Sequence, residues 1–153
     1  MKVNKIIVHH SATADNLTVS WGAIRKYHIE KLGFQDIGYH AGVELVESGG
    51  RRYYESFLGR SWFVPGAHCR GQNHDSLGIC LVGNFDLEIP DYGLLEAGAK
   101  VVALWMALFA VPHYMIFPHN AFNPQKSCPG ELFKMEKFIE MAVQEFDKWK
   151  NWK

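Results

Sequence analysis

The stretch SLGICLVG, residues 76–83, is the part of the sequence that decides the fold. It is an uninterrupted apolar run, and it is followed by Asn84. A run without alternation between apolar and polar residues is typical of a central strand that is covered on both faces. We therefore expect residues 76–83 to lie in the middle of a sheet, with Cys80 inside the core.

Short apolar runs and helical periodicities surround this strand in a regular order. They predict strands at residues 5–8, 39–46, 52–57 and 114–117, and amphipathic helices at residues 19–32, 94–110 and 132–149. Thr18 or Ser20 is expected to cap the first helix, and Pro112 to end the second. This order predicts one α/β domain over residues 1–153, in which helices flank a central mixed β-sheet.

The composition indicates a folded chain without a charge bias. The 153 residues are 48% hydrophobic and 14% aromatic, which excludes intrinsic disorder. Lys plus Arg and Asp plus Glu each number 16, so the formal net charge is zero. A general nucleic-acid binder needs a clustered basic face, so DNA or RNA is not expected as the main partner.

The cysteines and the apolar stretches bear on the cellular compartment. Cys69, Cys80 and Cys128 are odd in number and widely spaced, which favours a reduced compartment over a disulfide framework. The apolar run at residues 6–8 is too short for the core of a signal peptide. Residues 101–111 fall well short of the roughly 18 residues that a membrane span needs. We expect synthesis in the cytoplasm and no transmembrane segment.

Histidine and cysteine residues fall where two predicted strands end. His9 and His10 close the first strand, His119 follows the strand at residues 114–117, and Cys128 comes shortly after it. Histidine nitrogen and thiolate sulfur together suit zinc. Because successive strand side chains point to opposite faces, His9 and His10 should not both reach one metal. The remaining set is two histidines and one cysteine, with a fourth position open. An open position is typical of a catalytic site.

Two other interpretations fit the same spacing. The histidines can be ordinary hydrogen-bonded residues, and Cys128 a small buried apolar residue. A blue-copper site also uses two histidines and one cysteine, with a weak axial Met. Those sites normally gather Cys, His and Met in one loop, whereas no histidine follows Cys128 in this chain, so copper is disfavoured.

Four strings, in order along nearly the whole chain, carry a resemblance to a known family. They are VHHSAT at 8–13, DIGYH at 36–40, GAHCRGQNHDSLGICLVGN at 66–84, and PHN through KSCPG at 118–130. The chain resembles the zinc-dependent N-acetylmuramoyl-L-alanine amidases. That family includes small phage enzymes, bacterial muropeptide-recycling amidases and animal peptidoglycan recognition proteins.

The resemblance implies roles for five residues. His9, His119 and Cys128 bind one Zn²⁺, with water in its fourth position, and Tyr39 and Lys126 match the family's two catalytic positions. A cation held in this way lowers the pKa of bound water towards about 7 and polarises an amide carbonyl. We expect Lys126 to meet the developing oxyanion, and Tyr39 to orient water or relay its proton. Without the resemblance, a solvated loop lysine and a half-buried strand tyrosine are the simpler interpretations.

Two further positions match the loop that lines the substrate groove in this family. His68 and Asn73 are implied as substrate-binding residues, because an imidazole and an amide can hydrogen-bond a sugar or a peptide. The simpler alternative is that they form the turn before the buried strand. His28, His74 and His113 are interpreted as structural or surface residues.

The function that the resemblance implies is hydrolysis of the amide bond between the lactyl group of N-acetylmuramic acid and L-alanine in peptidoglycan. A phage or prophage endolysin is the expected setting: a monomer that is made in the cytoplasm and acts on the cell wall. A cytoplasmic amidase that recycles soluble muropeptides is the nearest alternative. A peptidoglycan-binding or regulatory protein without catalysis is a third. One relative in the phage branch regulates a polymerase by binding it, so a polymerase partner is a further hypothesis.

Overall fold

A computed structural model describes residues 1–14 and 20–150 of the chain. The strands in these ranges are β1 (Lys5–His10), β2 (Ala41–Ser48), β3 (Arg51–Leu58), β4 (Ser76–Leu81) and β5 (Ile116–Pro118). The helices are α1 (Trp21–Glu30), α2 (Tyr92–Phe109) and α3 (Met135–Lys150), with short 3₁₀ turns at His113–Met115 and His119–Ala121.

The strands form one five-stranded sheet in the order β3-β2-β4-β1-β5, with β4 at its centre. β4 pairs in parallel with β1 on one side and with β2 on the other, and β5 runs parallel to β1. β2 and β3 form an antiparallel hairpin. Every residue of β4 is buried, as a strand covered on both faces requires. The predicted mixed sheet and its central strand are therefore confirmed.

Helices α2 and α3 pack together in the main core, against one face of the sheet. Trp105 of α2 and Phe138 of α3 are fully buried in this core. Gly98 permits the close approach, because a Cβ there would lie 2.8 Å from the Leu81 side chain and 3.3 Å from that of Phe138. The expected layer of helix on sheet is confirmed on this face.

Helix α1 places its buried tryptophan against β2. Trp21 packs with Ile37 and Cys80, and it lies so close to Gly42 that a Cβ there would come within 2.2 Å of the indole ring. Ser20 caps the helix, since its hydroxyl accepts a hydrogen bond from the backbone N–H of Ala23 at 3.1 Å. Thr18, the other predicted cap, lies outside the described residues.

The connection from α2 to β5 differs in detail from the prediction. The helix ends at Phe109, because Ala110 adopts a left-handed conformation with φ of 54° ahead of Pro112. The backbone N–H of Met115 then donates to the carbonyl of Pro112 at 2.9 Å, which closes a 3₁₀ turn. β5 therefore begins at Ile116 and is shorter than the strand predicted at residues 114–117.

The last helix begins at Met135 rather than at residue 132. The backbone N–H of Leu132 donates to the carbonyl of Phe85 at 2.8 Å. The ring of Phe133 packs against those of Phe85 and Phe138, with centroids 5.6 and 5.4 Å apart. These contacts across the core hold residues 132 and 133 outside the helix.

By length and composition alone, helix α2 is long and apolar enough to cross a membrane. The apolar run at residues 101–111 of the sequence does not predict this. Helix α2 is the one such helix among residues 1–14 and 20–150. Its buried residues belong to the core between the sheet and α3. That position is the one a core helix takes in a folded domain.

Candidate metal centre

The carboxyl ends of β1 and β5 bring two histidines together. His9 lies near the end of β1, and His119 directly follows β5, which runs beside β1. Their ring centroids are 4.5 Å apart. Cys128 reaches the same point from the loop after β5, with its Sγ 3.7 Å from Nδ1 of His9.

These three side chains have a spacing that suits one metal ion. One ligand atom from each of His9, His119 and Cys128 lies within 4.8 Å of the other two. In a tetrahedral zinc site, bonds of about 2.0 Å to nitrogen and 2.3 Å to sulfur separate neighbouring ligand atoms by roughly 3.5 Å. Small side-chain movements would bring the set to that geometry. Among the described residues, no other group of three His, Cys, Asp or Glu residues has this spacing.

His10 faces away from the cluster, as the alternation of side chains along a strand predicts. Its Nδ1 accepts a hydrogen bond from the backbone N–H of Phe85 at 3.2 Å, and its ring packs beside the Phe85 ring. The backbone N–H of His10 donates to Sγ of Cys128 at 3.4 Å. The ring of His9 thus faces Cys128, whereas His10 contacts the same sulfur through its backbone N–H.

The loop that carries Cys128 is held from both sides by Asp86, a residue that the sequence did not single out. One carboxylate oxygen of Asp86 accepts from the hydroxyl of Ser127 at 2.6 Å, and the other accepts from the backbone N–H of Glu131 at 3.0 Å. The backbone N–H of Asn120 donates to the carbonyl of Cys128 at 2.8 Å. These bonds define where the sulfur lies relative to the strand ends.

Burial determines the protonation of the three groups. Desolvation, followed by the neighbouring rings of His68 and His119, lowers the pKa of His9 well below 6.5. Desolvation and then the charge of Lys126 lower the pKa of His119. Burial raises the pKa of the Cys128 thiol to about 12. At neutral pH the imidazoles are therefore ready to coordinate, whereas the thiol must lose a proton to a metal.

Tyr39 lies beside the metal cluster, just before β2. Its ring centroid is 5.1 Å from that of His9 and 5.5 Å from that of His28. Burial, followed by the neighbouring thiols of Cys80 and Cys128, raises the pKa of the phenol well above 10. His28 supports the same segment, because its Nδ1 accepts from the backbone N–H of Gly38 at 2.9 Å. Tyr39 is therefore a neutral phenol at the edge of the cluster.

Lys126 lies on the exposed side of the loop between His119 and Cys128. Its backbone N–H donates to the carbonyl of Asn123 at 3.0 Å, which forms part of the turn before the cysteine. Its positive charge lowers the pKa of His119 and also that of the Cys128 thiol. The ammonium group is thus close enough to act electrostatically on the cluster.

His68 and Asn73 make contacts within the protein. Nδ1 of His68 is 3.1 Å from Nε2 of His9, and its Nε2 is 3.4 Å from the hydroxyl of Ser76. Oδ1 of Asn73 accepts from the backbone N–H groups of His68 and Cys69, each at 2.9 Å. Asn73 therefore has the turn-forming contact that was its simpler interpretation. Substrate binding by either residue stays a prediction.

Two residues that the sequence did not mark as functional hold the segment around Tyr39. His40 is fully buried; its Nδ1 accepts from the backbone N–H of Gly78 at 2.9 Å, and its Nε2 is 3.1 Å from the carbonyl of Val64. Arg60 donates to the backbone carbonyls of Asp36, Ile37 and Pro65. His40 is the last residue of the string DIGYH, so the sequence pattern could have indicated it. Nothing in the sequence near Arg60 indicated that this residue has a structural role.

A cavity of about 390 Å³ opens beside Tyr39. It is bounded by Ser11, Thr13, Ala23, Ile24, Tyr27, His28 and Tyr39. Tyr27 is exposed, so the cavity opens to solvent along one side of α1. An extended molecule can lie here with one of its bonds next to Tyr39.

The sequence and the fold both match known proteins. Residues 1–131 match the family model described as N-acetylmuramoyl-L-alanine amidase. This range contains His9, His119 and Cys128. The endolysin of Escherichia phage T7 is 38% identical over 145 residues, which are 88% of this chain and 84% of that protein. Peptidoglycan-recognition protein 2 of Holotrichia diomphalia is 36% identical over 100 residues, or 62% of this chain. The chain spans 50% of the length of that relative.

A solved structure shares the overall fold. The N-acetylmuramoyl-L-alanine amidase LysC from Clostridium intestinale URNW superposes with a TM-score of 0.74 at 25% sequence identity. The match covers 94% of this chain and 86% of that one. The mixed sheet with helices on both faces is therefore a shared architecture.

Proposed function

The chain belongs to the N-acetylmuramoyl-L-alanine amidase family, and on that premise we propose that it is a zinc-dependent hydrolase of peptidoglycan. The bond cleaved is the amide between the lactyl group of N-acetylmuramic acid and L-alanine. The observation that carries the proposal is the convergence of His9, His119 and Cys128 at one edge of the sheet, beside Tyr39. We propose that the whole chain, residues 1–153, is one such catalytic domain.

The donor set fits zinc better than the harder divalent ions. Mg²⁺ and Ca²⁺ prefer oxygen ligands, whereas His9, His119 and Cys128 offer two nitrogens and one sulfur. When bound, Zn²⁺ supplies the Lewis acidity that activates water and polarises an amide carbonyl. Three protein ligands leave a fourth position open for that chemistry.

The chain's own residues supply orientation and charge. The Tyr39 phenol stays protonated at neutral pH, so it acts as a hydrogen-bond donor or as a relay of a proton, and not as a phenolate base. Lys126 is exposed, and its positive charge lowers the pKa of His119; we propose that the same charge stabilises negative charge on the amide oxygen in the transition state. The two residues belong to different parts of the chain: Tyr39 lies just before β2, and Lys126 lies in the loop after β5.

The cavity along α1 supports a substrate that is longer than one amide bond. It leads to Tyr39 from the exposed ring of Tyr27, and hydroxyl groups of Ser11 and Thr13 border it. Aromatic rings and hydroxyl groups are suited to glycans and short peptides. We propose that a part of the muropeptide lies here; contacts by His68 and Asn73 are a further part of the proposal.

The cellular setting of the proposal is that of an endolysin. The match to the T7 endolysin covers 88% of this chain and supports this setting. We propose a monomer that is made in the cytoplasm and attacks the cell wall. A recycling amidase would catalyse the same reaction on soluble muropeptides. Rates on intact sacculi and on soluble muropeptides separate the two, because an endolysin must cleave the polymer.

The second candidate function is recognition of peptidoglycan without cleavage. The 36% identity to a peptidoglycan-recognition protein favours it, since that name states recognition alone. A protein that only binds has no need for an open metal position beside a lysine. The two candidates differ in one observable, which is turnover.

The test measures new alanine amino groups released from purified peptidoglycan. The protein is assayed as prepared, after removal of metal by a chelator, and after zinc is added back. The proposal predicts release that stops on chelation and returns with zinc. Stoichiometric zinc binding without amine release would support the recognition protein, and release that resists removal of all metal would contradict the zinc mechanism.

A further inference from the structure

A continuous row of polar groups runs from the metal cluster into the loop before β4. Nε2 of His9 lies 3.1 Å from Nδ1 of His68, and Nε2 of His68 lies 3.4 Å from Oγ of Ser76. The Ser76 hydroxyl in turn donates to the backbone carbonyl of Gln72 at 2.7 Å. The row begins at Nδ1 of His9, which faces Sγ of Cys128 at 3.7 Å.

The carbonyl at the far end sets the direction of every bond in the row. A carbonyl can only accept, so the single proton of the Ser76 hydroxyl is directed at Gln72. The oxygen of Ser76 is then an acceptor, and Nε2 of His68 must be the donor. A neutral imidazole carries one proton, so Nδ1 of His68 is an acceptor.

The hydrogen bond between His68 and His9 fixes the tautomer of His9. Because Nδ1 of His68 accepts, Nε2 of His9 must donate to it, and Nε2 of His9 carries the proton. The lone pair of the neutral His9 ring is therefore on Nδ1, the atom that faces Cys128. The reverse direction would require the Ser76 hydroxyl to give up its short bond to Gln72.

The His68 ring has little freedom to leave this position. It is 8% exposed, and a Cβ at Gly66 or Gly78 would lie within about 2.5 Å of it, so the ring fills the space that these glycines leave. Asn73 accepts a hydrogen bond from the backbone N–H of His68, while the two ring nitrogens face His9 and Ser76. Both ring nitrogens are thus engaged inside the protein.

We propose that His68 is a positioning residue, which holds His9 in the tautomer and orientation that a metal ligand needs before the metal arrives. This inference rests on the proposed function, because it assigns His9 as a ligand. The partner of a ligating histidine normally fixes its tautomer through the second ring nitrogen. Here that partner is itself oriented by Ser76 and, through Ser76, by a backbone carbonyl.

The experiment compares three variants in two measurements. His68→Leu removes the partner of His9, Ser76→Ala removes the hydroxyl that orients His68, and His74→Leu is the control for the same change at an exposed histidine of the same loop. The first measurement is zinc affinity, by competition with a chromophoric chelator. The second is the ¹⁵N chemical shifts of the His9 ring in metal-free protein, which report its tautomer.

The expected result is graded. His68→Leu weakens zinc binding by roughly 10- to 100-fold and shifts part of the His9 population to the tautomer with a proton on Nδ1. Ser76→Ala changes both readouts in the same direction but less, because the His68 ring is still held beside His9 by its packing against Gly66 and Gly78. His74→Leu leaves both within error of wild type.

Two outcomes overturn the inference. One is a His68→Leu protein that binds zinc as tightly as wild type; the other is wild-type metal-free protein in which His9 carries its proton on Nδ1. If His68→Leu does not fold, the tautomer of His9 in wild type and in Ser76→Ala decides. That readout needs neither metal nor substrate, so it also separates this inference from the amidase proposal: a wild-type protein that binds zinc but does not release amines contradicts only the latter.

Discussion

The backbone N–H of His10 points at Sγ of Cys128, 3.4 Å away. The bond favours the thiolate and lowers the pKa of the thiol, but desolvation outweighs it, and the pKa stays at about 12. The amide comes from the residue next to His9, so the end of β1 supplies both a candidate ligand and a hydrogen-bond donor to the sulfur. The sulfur is therefore prepared for a negative charge that it does not carry until a cation is present.

Zinc affinity should rise with pH, since the metal must displace the thiol proton of Cys128. His9 and His119 have lowered pKa values and are unprotonated above pH 7, so they add no protons to the exchange. Each pH unit between 7 and 9 makes the competing proton tenfold scarcer, so the thiol alone should tighten binding about tenfold per unit, and ionisation of the water in the fourth position adds to this. Calorimetry in two buffers of different ionisation enthalpy should show the release of at least one proton.

The thiol can be tested with a matched pair of cysteine variants. Cys128→Ser should lose zinc and turnover together, whereas Cys69→Ala should keep both and the same proton release. A Cys128→Ser protein that still binds zinc with wild-type affinity would show that the sulfur is not a ligand.

Lys126→Ala should keep zinc yet reduce turnover by on the order of 10²-fold, because a preorganised cation near the developing oxyanion is lost. Zinc content and kcat on peptidoglycan are the measurements. Lys137→Ala, which removes an exposed lysine of α3, is the control and should have wild-type kcat. Unchanged turnover in Lys126→Ala would remove this lysine from the mechanism.

Acid should destabilise the metal-free protein through its buried histidines. Burial lowers the pKa of His40 from 6.5 to about 4, so between these values the unfolded chain binds a proton that the folded protein does not. The free energy of unfolding therefore falls as the pH drops from 6.5 to 4, by about 3 kcal/mol from this group, and it levels off below that range.

The check on His40 is urea unfolding at pH 7 and pH 4.5, with a chelator present. His40→Gln keeps one acceptor and one donor but does not titrate, so it should lose less stability between the two pH values than wild type does. Some loss should remain, because His68 has a pKa of about 3 and contributes in the same direction. Equal losses in the two proteins would contradict the assignment to His40.

Gly42→Ala should destabilise the fold by about 1–3 kcal/mol, because a Cβ at this position meets the indole ring of Trp21 at 2.2–2.6 Å. Gly22→Ala is the control, since the nearest atom to a Cβ there is Oγ of Ser20 at 3.7 Å. That helical position should gain about 0.5 kcal/mol. Urea unfolding of both variants measures the difference, and a Gly42→Ala protein as stable as wild type would mean that Trp21 can move away.

The parts of this structure that follow local rules could be predicted from the sequence. The apolar run around Cys80 indicated the central strand, and side-chain alternation separated His9 from His10. Ser20 caps α1 as its type and position predict. These features depend on residues that are close in sequence.

The parts that depend on distant contacts could not be predicted in the same way. Asp86 holds the Cys128 loop through residues 41 and 45 positions away, and an aspartate that follows a strand gives no sign of this in the sequence. His68 matched a groove position, but its partner His9 is 59 residues away, and only the fold shows that both nitrogens of its ring are engaged. The late start of α3 has the same cause, since Phe85 reaches Leu132 and Phe133 across the core.

His9 and Cys128 lie 119 positions apart along the chain. The ligand atoms of such distant residues meet only in the folded protein, so a metal ion that joins them binds the folded state and not the unfolded chain. Binding energy at the cluster is then also folding energy, which raises the melting temperature on loading. The ion that serves catalysis at the end of β1 would thus act on the whole chain as a long-range cross-link.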